Sequence, residues 1–383
     1  MTRARTLADL GSASLATDAE ATASAEAAAA AVPTGRKNLL YNGAMQVAQR
    51  GTSKTGIGSG DSNYHTSDRW YTTVVGSPTF EFTQSVENDA PTGSGFRKCL
   101  KMLCTTAQNS LVTSDSLRIE QRLEGQDIQR VAKGTASAQQ VTLSFWVKSN
   151  VTGNYVAGLL DNDNTRYVAF TYNVSASATW EKKTIAFPAD TTGAFDNDSG
   201  YSLSLQFWLA AGPDRATGTL PNAWESYAVA ESAVGQTNLA AATNNYWQIT
   251  GVQLEVGDTA TDFEHKPFGV ELAECQRYYW RQNAKSPYSN FGIVRAESST
   301  SANALIIRPM SMRTHSQTVE FSGLGVHDPG DAIRAISAMS VADSTESFSY
   351  VSVTAASGMT AGTMYWLSAN NNISAYLGLS AEL

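Results

Sequence analysis

From residue 38 to about residue 266, apolar and polar positions alternate with a period of two. The segments are short and turn residues separate them, which is the pattern of an antiparallel sandwich or barrel. In segment 141–148, Val141, Leu143, Phe145 and Val147 share one phase, and Thr142, Ser144, Trp146 and Lys148 the other. In segment 201–209, Tyr201, Leu203, Leu205, Phe207 and Leu209 form the apolar phase, opposite Ser202, Ser204, Gln206 and Trp208. Each strand thus carries one tryptophan on its polar face. Further strands are expected at 69–75, 79–86, 98–105, 116–123, 167–174, 182–187 and 247–255, a number that suits a jelly roll.

The pattern changes on both sides of this block. Residues 12–32 are more than half alanine and end at Pro33 and Gly35, a composition that favours a helix with a defined stop. Only Leu7, Leu10, Leu15 and Val32 offer much apolar area there, so such a helix builds no core alone. It reads either as a linker or as a docking or self-associating tail. Residues 268–282 lose the alternation and read as a short helix or strap, with Val270, Cys275 and Tyr278 or Tyr279 available to pack on the preceding block. Period two returns in 283–383, for example at 303–308 and 347–353, and predicts a second, smaller β-domain. The expected organisation is mainly β: a helical segment at 1–35, a β-sandwich (jelly-roll) domain at 36–267, a connecting strap at 268–282 and a C-terminal β-domain at 283–383.

Composition narrows the function. The chain has 383 residues, a net charge of −8 and 16% charged residues, which suits neither a disordered tail nor a basic nucleic-acid binder. Cys99, Cys104 and Cys275 form no CxxC pair and read as free thiols rather than as a disulfide framework or a cysteine zinc site. No stretch approaches the ~20 consecutive apolar residues of a membrane helix, and no signal-peptide core follows Arg3 and Arg5, so a soluble protein without membrane insertion is expected.

Catalytic constellations are weak. His65, His265, His315 and His327 are scattered and read as surface or loop histidines, with no HExxH or GxSxG context. Glu120, Glu124, Glu255 and Glu264 are the carboxylates from which a glycosidase pair would be drawn. The glycine-rich stretch 51–60 lacks the order of a phosphate-binding loop and reads as a flexible loop. Two acidic turns, 161–165 and 196–200, space oxygen ligands as calcium loops do but lack the twelfth-position glutamate; they read as hairpin turns, with a structural calcium elsewhere allowed and not placed. No catalytic residue and no cofactor is assigned.

The aromatic pattern points further. Eight tryptophans and fifteen tyrosines are many for so polar a chain, and Trp146, Trp208 and Tyr167 fall on the polar phase of their strands. Flat rings presented on a sheet face, with Ser, Gln, Asn and Lys nearby, suit stacking of sugar rings. The same placement also results when a loop, the N-terminal segment or another subunit covers that face. Either way the face makes contact with something.

Several stretches, in order, resemble a known group. Asn38-Leu-Leu-Tyr-Asn-Gly43, Ser67-Asp-Arg-Trp70, Ile119-Glu-Gln-Arg-Leu-Glu-Gly125, Val141-Thr-Leu-Ser-Phe-Trp-Val147, Gly251-Val-Gln-Leu-Glu-Val-Gly257 with Ala260-Thr-Asp-Phe-Glu264, and Glu274-Cys-Gln-Arg-Tyr-Tyr279 are similar to the carbohydrate-binding-module-like jelly rolls of bacteriophage tail fibres. Residues 2–10, followed by the Ala/Ser run, are similar to virion-anchoring leaders of marine phage fibres. Arg308-Pro-Met-Ser-Met-Arg313 is similar to a Met-Arg signature of distal fibre domains, except that Thr314-His-Ser-Gln-Thr318 lacks the usual proline. The resemblance implies a homotrimeric tail-fibre or spike subunit of the virion, assembled in the bacterial cytoplasm. It implies docking to other tail proteins through residues 1–35 and attachment to a host surface glycan or receptor. A purely structural virion component, a polysaccharide depolymerase and a cellular carbohydrate-binding module are the rival readings.

Overall fold

Alternating segments become strands because each buries one phase against a facing sheet, and the computed structural model shows this for residues 36–328 and 332–383. The helix expected within residues 1–35 lies outside the described residues. In chain order the first block holds β1 (Ser53–Ile57), β2 (Asn63–Tyr64), β3 (Tyr71–Val75), β4 (Glu81–Glu87), β5 (Cys99–Thr106), β6 (Ser116–Glu124), β7 (Val141–Ser149), β8 (Gly153–Asp161), β9 (Arg166–Val174), β10 (Glu181–Phe187), β11 (Tyr201–Ala211), β12 (Glu225–Ser226) and β13 (Tyr246–Val256). These form two antiparallel sheets. The front sheet has the order β1-β4-β5-β13-β7-β10 and the back sheet β12-β9-β8-β11-β6-β3-β2. Phe145 of the front sheet packs its ring 5.0 Å from Tyr172 and 5.1 Å from Phe207 of the back sheet, and Trp247 lies 5.8 Å from Phe207. The protein is mainly β, with a jelly-roll-like sandwich at its centre, as the alternation predicts.

Three local features depart from the alternation reading or are not anticipated by it. The glycine-rich stretch 51–60 is no free loop: β1 pairs with β4 and forms the front sheet's edge. Strand β8 carries no alternation because Tyr155, Val156, Ala157, Gly158 and Leu159 are buried on both faces, which removes the polar phase a period-two reading needs. The strap is helix α1 (Phe268–Gln276), in which Cys275 is buried while Val270 is 48% exposed and does not pack on the sandwich. Burial pushes the Cys99 and Cys104 thiols up to about 11, and all three cysteines are unpaired and buried.

After α1 come β14 (Tyr279–Asn283), β15 (Asn290–Ala296), β16 (Ser301–Ile307), β17 (Thr318–Ser322), β18 (Leu324–His327), β19 (Ile333–Ser344), β20 (Phe348–Ala355), β21 (Met364–Ala369) and β22 (Tyr376–Ser380). Six of them close a barrel in the order β15-β16-β20-β19-β18-β21, and β14-β22-β17 form a small separate sheet. The barrel's core, built from residues such as Val294, Val326, Val351 and Leu367, is distinct from the sandwich core.

Arginines join the sandwich to the small sheet and to the C-terminal residues that follow β22. Arg69, fully buried, pairs with Glu382, donates to the Arg122 carbonyl at 2.7 Å and lies 3.4 Å over the Tyr278 ring. Arg50 reaches Glu382 at 3.3 Å and Glu320 at 3.4 Å. Arg313, the last residue of the Met-Arg stretch, donates to the carbonyls of Ala381, Glu382 and, across the junction, Ser199. Guanidinium groups suit this place because their forked donors satisfy several acceptors at once while remaining charged when buried.

Candidate functional site

The three aromatic residues singled out in the sequence separate into two environments. Trp208 of β11 and Tyr167 of β9 meet on the outer side of the back sheet, where both are buried. Trp208 Nε1 donates to Tyr167 Oη at 3.1 Å, and Tyr167 Oη donates to the Ser232 carbonyl at 2.8 Å. Leu220, Tyr227 and Ala233, from the connection between β11 and β13, cover them, together with Val156 and Ala169. The guanidinium groups of Arg118 and Arg215 lie 5.1 Å and 5.6 Å from the Trp208 ring. The Tyr167 ring packs so closely on Gly158 that a Cβ there would stand 2.2 Å from its hydroxyl. Trp208 and Tyr167 are therefore core residues of a covered face. Neither presents a ring to a ligand, which corrects their reading as glycan contacts.

Trp146 lies on the other sheet. It is partly exposed on the outer face of β7, directly opposite Lys182 of β10 and Thr250 of β13. Beside it opens a cleft of about 340 Å³ lined by Phe96, Ser144, Trp146, Lys182, Phe263 and His265, among others. Two loops build its wall. Phe96, from the connection before β5, sits 4.9 Å from Phe263 and 5.1 Å from His265, and the latter two are 4.9 Å apart. The sheet is shaped to receive this cluster: the β13–β7 register shifts between Thr250 and Gln253, and Gly251 takes φ +61°, a left-handed conformation that favours glycine. A Cβ at residue 251 would stand 2.5 Å from Phe96 Cζ, so glycine also gives the ring its seat. Glu255 anchors the second loop, accepting from the Thr261 backbone at 2.9 Å and from its hydroxyl at 2.7 Å.

The same outer face continues along β7. Asp89 pairs with the Lys148 ammonium and accepts from Trp180 Nε1 at 3.2 Å and Gln248 Nε2 at 3.0 Å. Partial burial works to raise the Asp89 carboxyl, but these hydrogen bonds outweigh it and hold the group below the ordinary carboxylate range. Trp146 and Trp180 thus lie on one polar face, with lysines and an ordered carboxylate between and beside them. Such an arrangement stacks flat apolar ring faces and bonds their polar rims, which is what a sugar offers.

The sequence missed Phe96, Phe263 and His265 as site residues because all three are in loops, where alternation gives no phase. The one local signal is an aromatic directly after Gly93-Ser-Gly95, a stretch able to fold a ring back onto a strand. Of the four histidines, His265 is exposed on the cleft, His315 is exposed, His327 ends β18, and His65 keeps its side chain only 5% exposed near Asp61.

The carboxylates considered for glycoside chemistry have structural partners. Glu120 is buried between Arg118 and Arg122 at 2.8 Å each, and Glu124 pairs with Arg277 at 2.8 Å. Glu264 accepts from the Asn38 backbone at 2.6 Å. The acidic turn 161–165 joins β8 to β9, and its first residue contributes to an oxygen cage. Lys133 Nζ, almost wholly buried, donates to Asp161 Oδ2 at 2.5 Å, to the Thr192 and Gly193 carbonyls at 2.8 and 2.7 Å, and lies 3.1 Å from Asp190. An ammonium group thus occupies the centre of these ligands. In the turn 196–200, Asp198 accepts from the Gly200 backbone at 2.7 Å. Among the described residues no group of three or more His, Cys, Asp or Glu side chains is arranged to hold a metal ion.

No family model matches the chain, and no curated protein does. Among solved structures, the enzymatically active domain of bacteriophage CBA120 tailspike protein 4 aligns over 57% of this chain and 21% of its own, with 12% identity and a TM-score of 0.30. The family 61 carbohydrate-binding module TmCBM61, solved with β-1,4-galactotriose, aligns over 58% of this chain and 99% of its own, at 9% identity and a TM-score of 0.27. The CBM22-1 xylan-binding domain of Paenibacillus barcinonensis Xyn10C aligns over 56% of this chain and its whole length, at 11% identity and a TM-score of 0.25. The chain therefore spans about a fifth of the tailspike chain, and likenesses this weak leave the cleft to stand on its own geometry.

Proposed function

We propose that this chain is an adhesion protein that binds a host surface glycan in the front-sheet cleft, as a non-catalytic tail-fibre or spike subunit of a phage virion. The carrying observation is the cleft itself: Trp146 beside a wall of Phe96, Phe263 and His265, with Lys182 within reach and Gly251 left without a side chain to seat the wall. Its volume of about 340 Å³ has room for one or two sugar rings. A weak site of this kind gains from repetition, since linked copies raise avidity without any new contact. A homotrimer docked to other tail proteins through residues 1–35 would supply that repetition. The ordered resemblance of residues 38–282 to tail-fibre jelly rolls supports the virion setting.

The test is a glycan array with the purified protein, followed by titration of each hit and an assay for reducing ends. The expected result is saturable binding in the high-micromolar to millimolar range per site, without release of reducing sugar. Absence of any glycan ligand, with host adsorption intact, would overturn the glycan reading, and reducing-sugar release would establish a depolymerase.

A further inference from the structure

The barrel exposes what the sandwich hides. Of thirteen large hydrophobic side chains that are exposed among the described residues, nine lie beyond residue 280, and only Val112 and Val229 belong to the sandwich strands and their loops. Six of the nine form one stripe. Trp366 of β21 lies opposite Ile293 of β15, and Leu305 of β16 opposite Tyr350 of β20. Val294 pairs with Ala304 and Arg295 with Asn303, so the same register sets Ile293 beside Leu305. Trp366, Ile293, Leu305 and Tyr350 thus stand side by side across four neighbouring strands, at 45%, 44%, 51% and 40% exposure. Met364 and Ile307, two residues along β21 and β16, widen the stripe and are 55% and 73% exposed. The next row, Arg295, Asn303, Ser352 and Ser340, is polar except for Met364 opposite Arg295, so on β15, β16, β20 and β19 the stripe is bounded rather than a general greasiness.

We infer that this stripe is the contact through which copies of this chain associate, barrel against barrel. Area is the reason. Its six residues expose on the order of 700 Å², above the largest patch of a typical monomer and close to the ~800 Å² per partner of a stable interface. The stripe runs unbroken over four adjacent strands of the barrel, β21, β15, β16 and β20, so a second copy meets it as one continuous strip. This deepens the multivalent reading above and rests on it for the number of copies. It places the association in the barrel and leaves the glycan cleft on another sheet of the molecule.

The test is the solution mass of the full chain at tens of micromolar, by light scattering coupled to size exclusion, beside a Leu305→Glu/Ile307→Glu double variant. Both residues point to solvent, so the variant is expected to keep its far-UV circular dichroism and its per-site glycan affinity while its mass drops from trimer to monomer. A wild type that is monomeric overturns the inference and assigns the stripe to a different protein. A folded variant that keeps the wild-type mass also overturns it, and moves the contact elsewhere in the chain. Loss of glycan binding in both proteins with the mass change intact would count against the cleft reading alone, and the stripe would stand.

Discussion

The two outer faces of the sandwich begin from one pattern and end differently. Trp146 of β7 and Trp208 of β11 each interrupt the polar phase of a strand, and each has an aromatic or basic neighbour. On the back sheet the residues that follow β11 fold over Trp208, and Ser202, Ser204, Gln206 and Trp208 are all as buried as the core phase. On the front sheet only the loops carrying Phe96 and Phe263 reach the face, at its margin, and they form walls instead of a lid. An aromatic on a polar phase therefore marks an occupied face without naming the occupant. The length of the adjoining connection separates the cases: residues 212–245 follow β11 and are enough chain to cover a sheet.

The sharpest way to break this comparison is Trp208→Ala. The indole is fully buried, and its removal leaves a cavity and deprives Tyr167 Oη of its donor, so a loss of about 3–5 kcal/mol is expected in urea unfolding. Glycan affinity of the folded fraction should not change. A loss below about 1 kcal/mol would show that the face is not a true second core.

Gly251→Ala attacks the front face. It adds a side chain in a left-handed conformation and places its Cβ against Phe96, so about 1–3 kcal/mol of stability should be lost. Because Phe96 must move, the affinity for a cleft ligand should fall about tenfold, as read by titration calorimetry. Intact affinity would separate the Phe96 wall from the site.

Tyr167→Phe probes the covered face more gently. It removes the hydroxyl that links Trp208 to the Ser232 carbonyl and leaves an indole N–H and a carbonyl without that partner, at a cost of about 1–2 kcal/mol. No binding change is expected, and a large one would mean that the back face takes part in recognition.

Much of the architecture was legible in the chain because strand alternation is a local record of burial. Segments 141–148, 201–209 and 247–255 became β7, β11 and β13 nearly to the residue. β8 was illegible for the opposite reason: both of its faces are covered, so Tyr155 to Leu159 read as a plain apolar run. The site was half legible. Trp146 could be read from its strand, whereas Phe96, Phe263 and His265 reach the cleft through two loops more than 160 residues apart in sequence, and the pairing of β13 with β5, which the two loops adjoin, brings them together. The stripe on the barrel was hidden in another way. Leu305 and Ile307 alternate correctly with Ala304 and Ile306, but here the outward phase is the apolar one as well, and alternation alone does not reveal that both phases are apolar when only one is buried.

Trp146→Ala is expected to change stability least and function most. Its ring is only partly buried, and it rests on a sheet face whose strand pairs with β10 and β13 on either side, so truncation opens no enclosed cavity; the change in unfolding free energy should stay below about 1 kcal/mol. A stacked sugar, by contrast, loses its platform, and such contacts carry on the order of 1–3 kcal/mol, which corresponds to a fall in affinity of about tenfold or more. The pair Trp146→Ala and Trp208→Ala therefore forms a double dissociation: one variant should lose binding and keep its fold, the other lose stability and keep binding. Equal effects of the two on both measurements would erase the distinction between an open and a covered face. A Trp146→Phe variant refines the result, because a smaller ring in the same place should recover part of the affinity if stacking, and not the indole N–H, carries the contact.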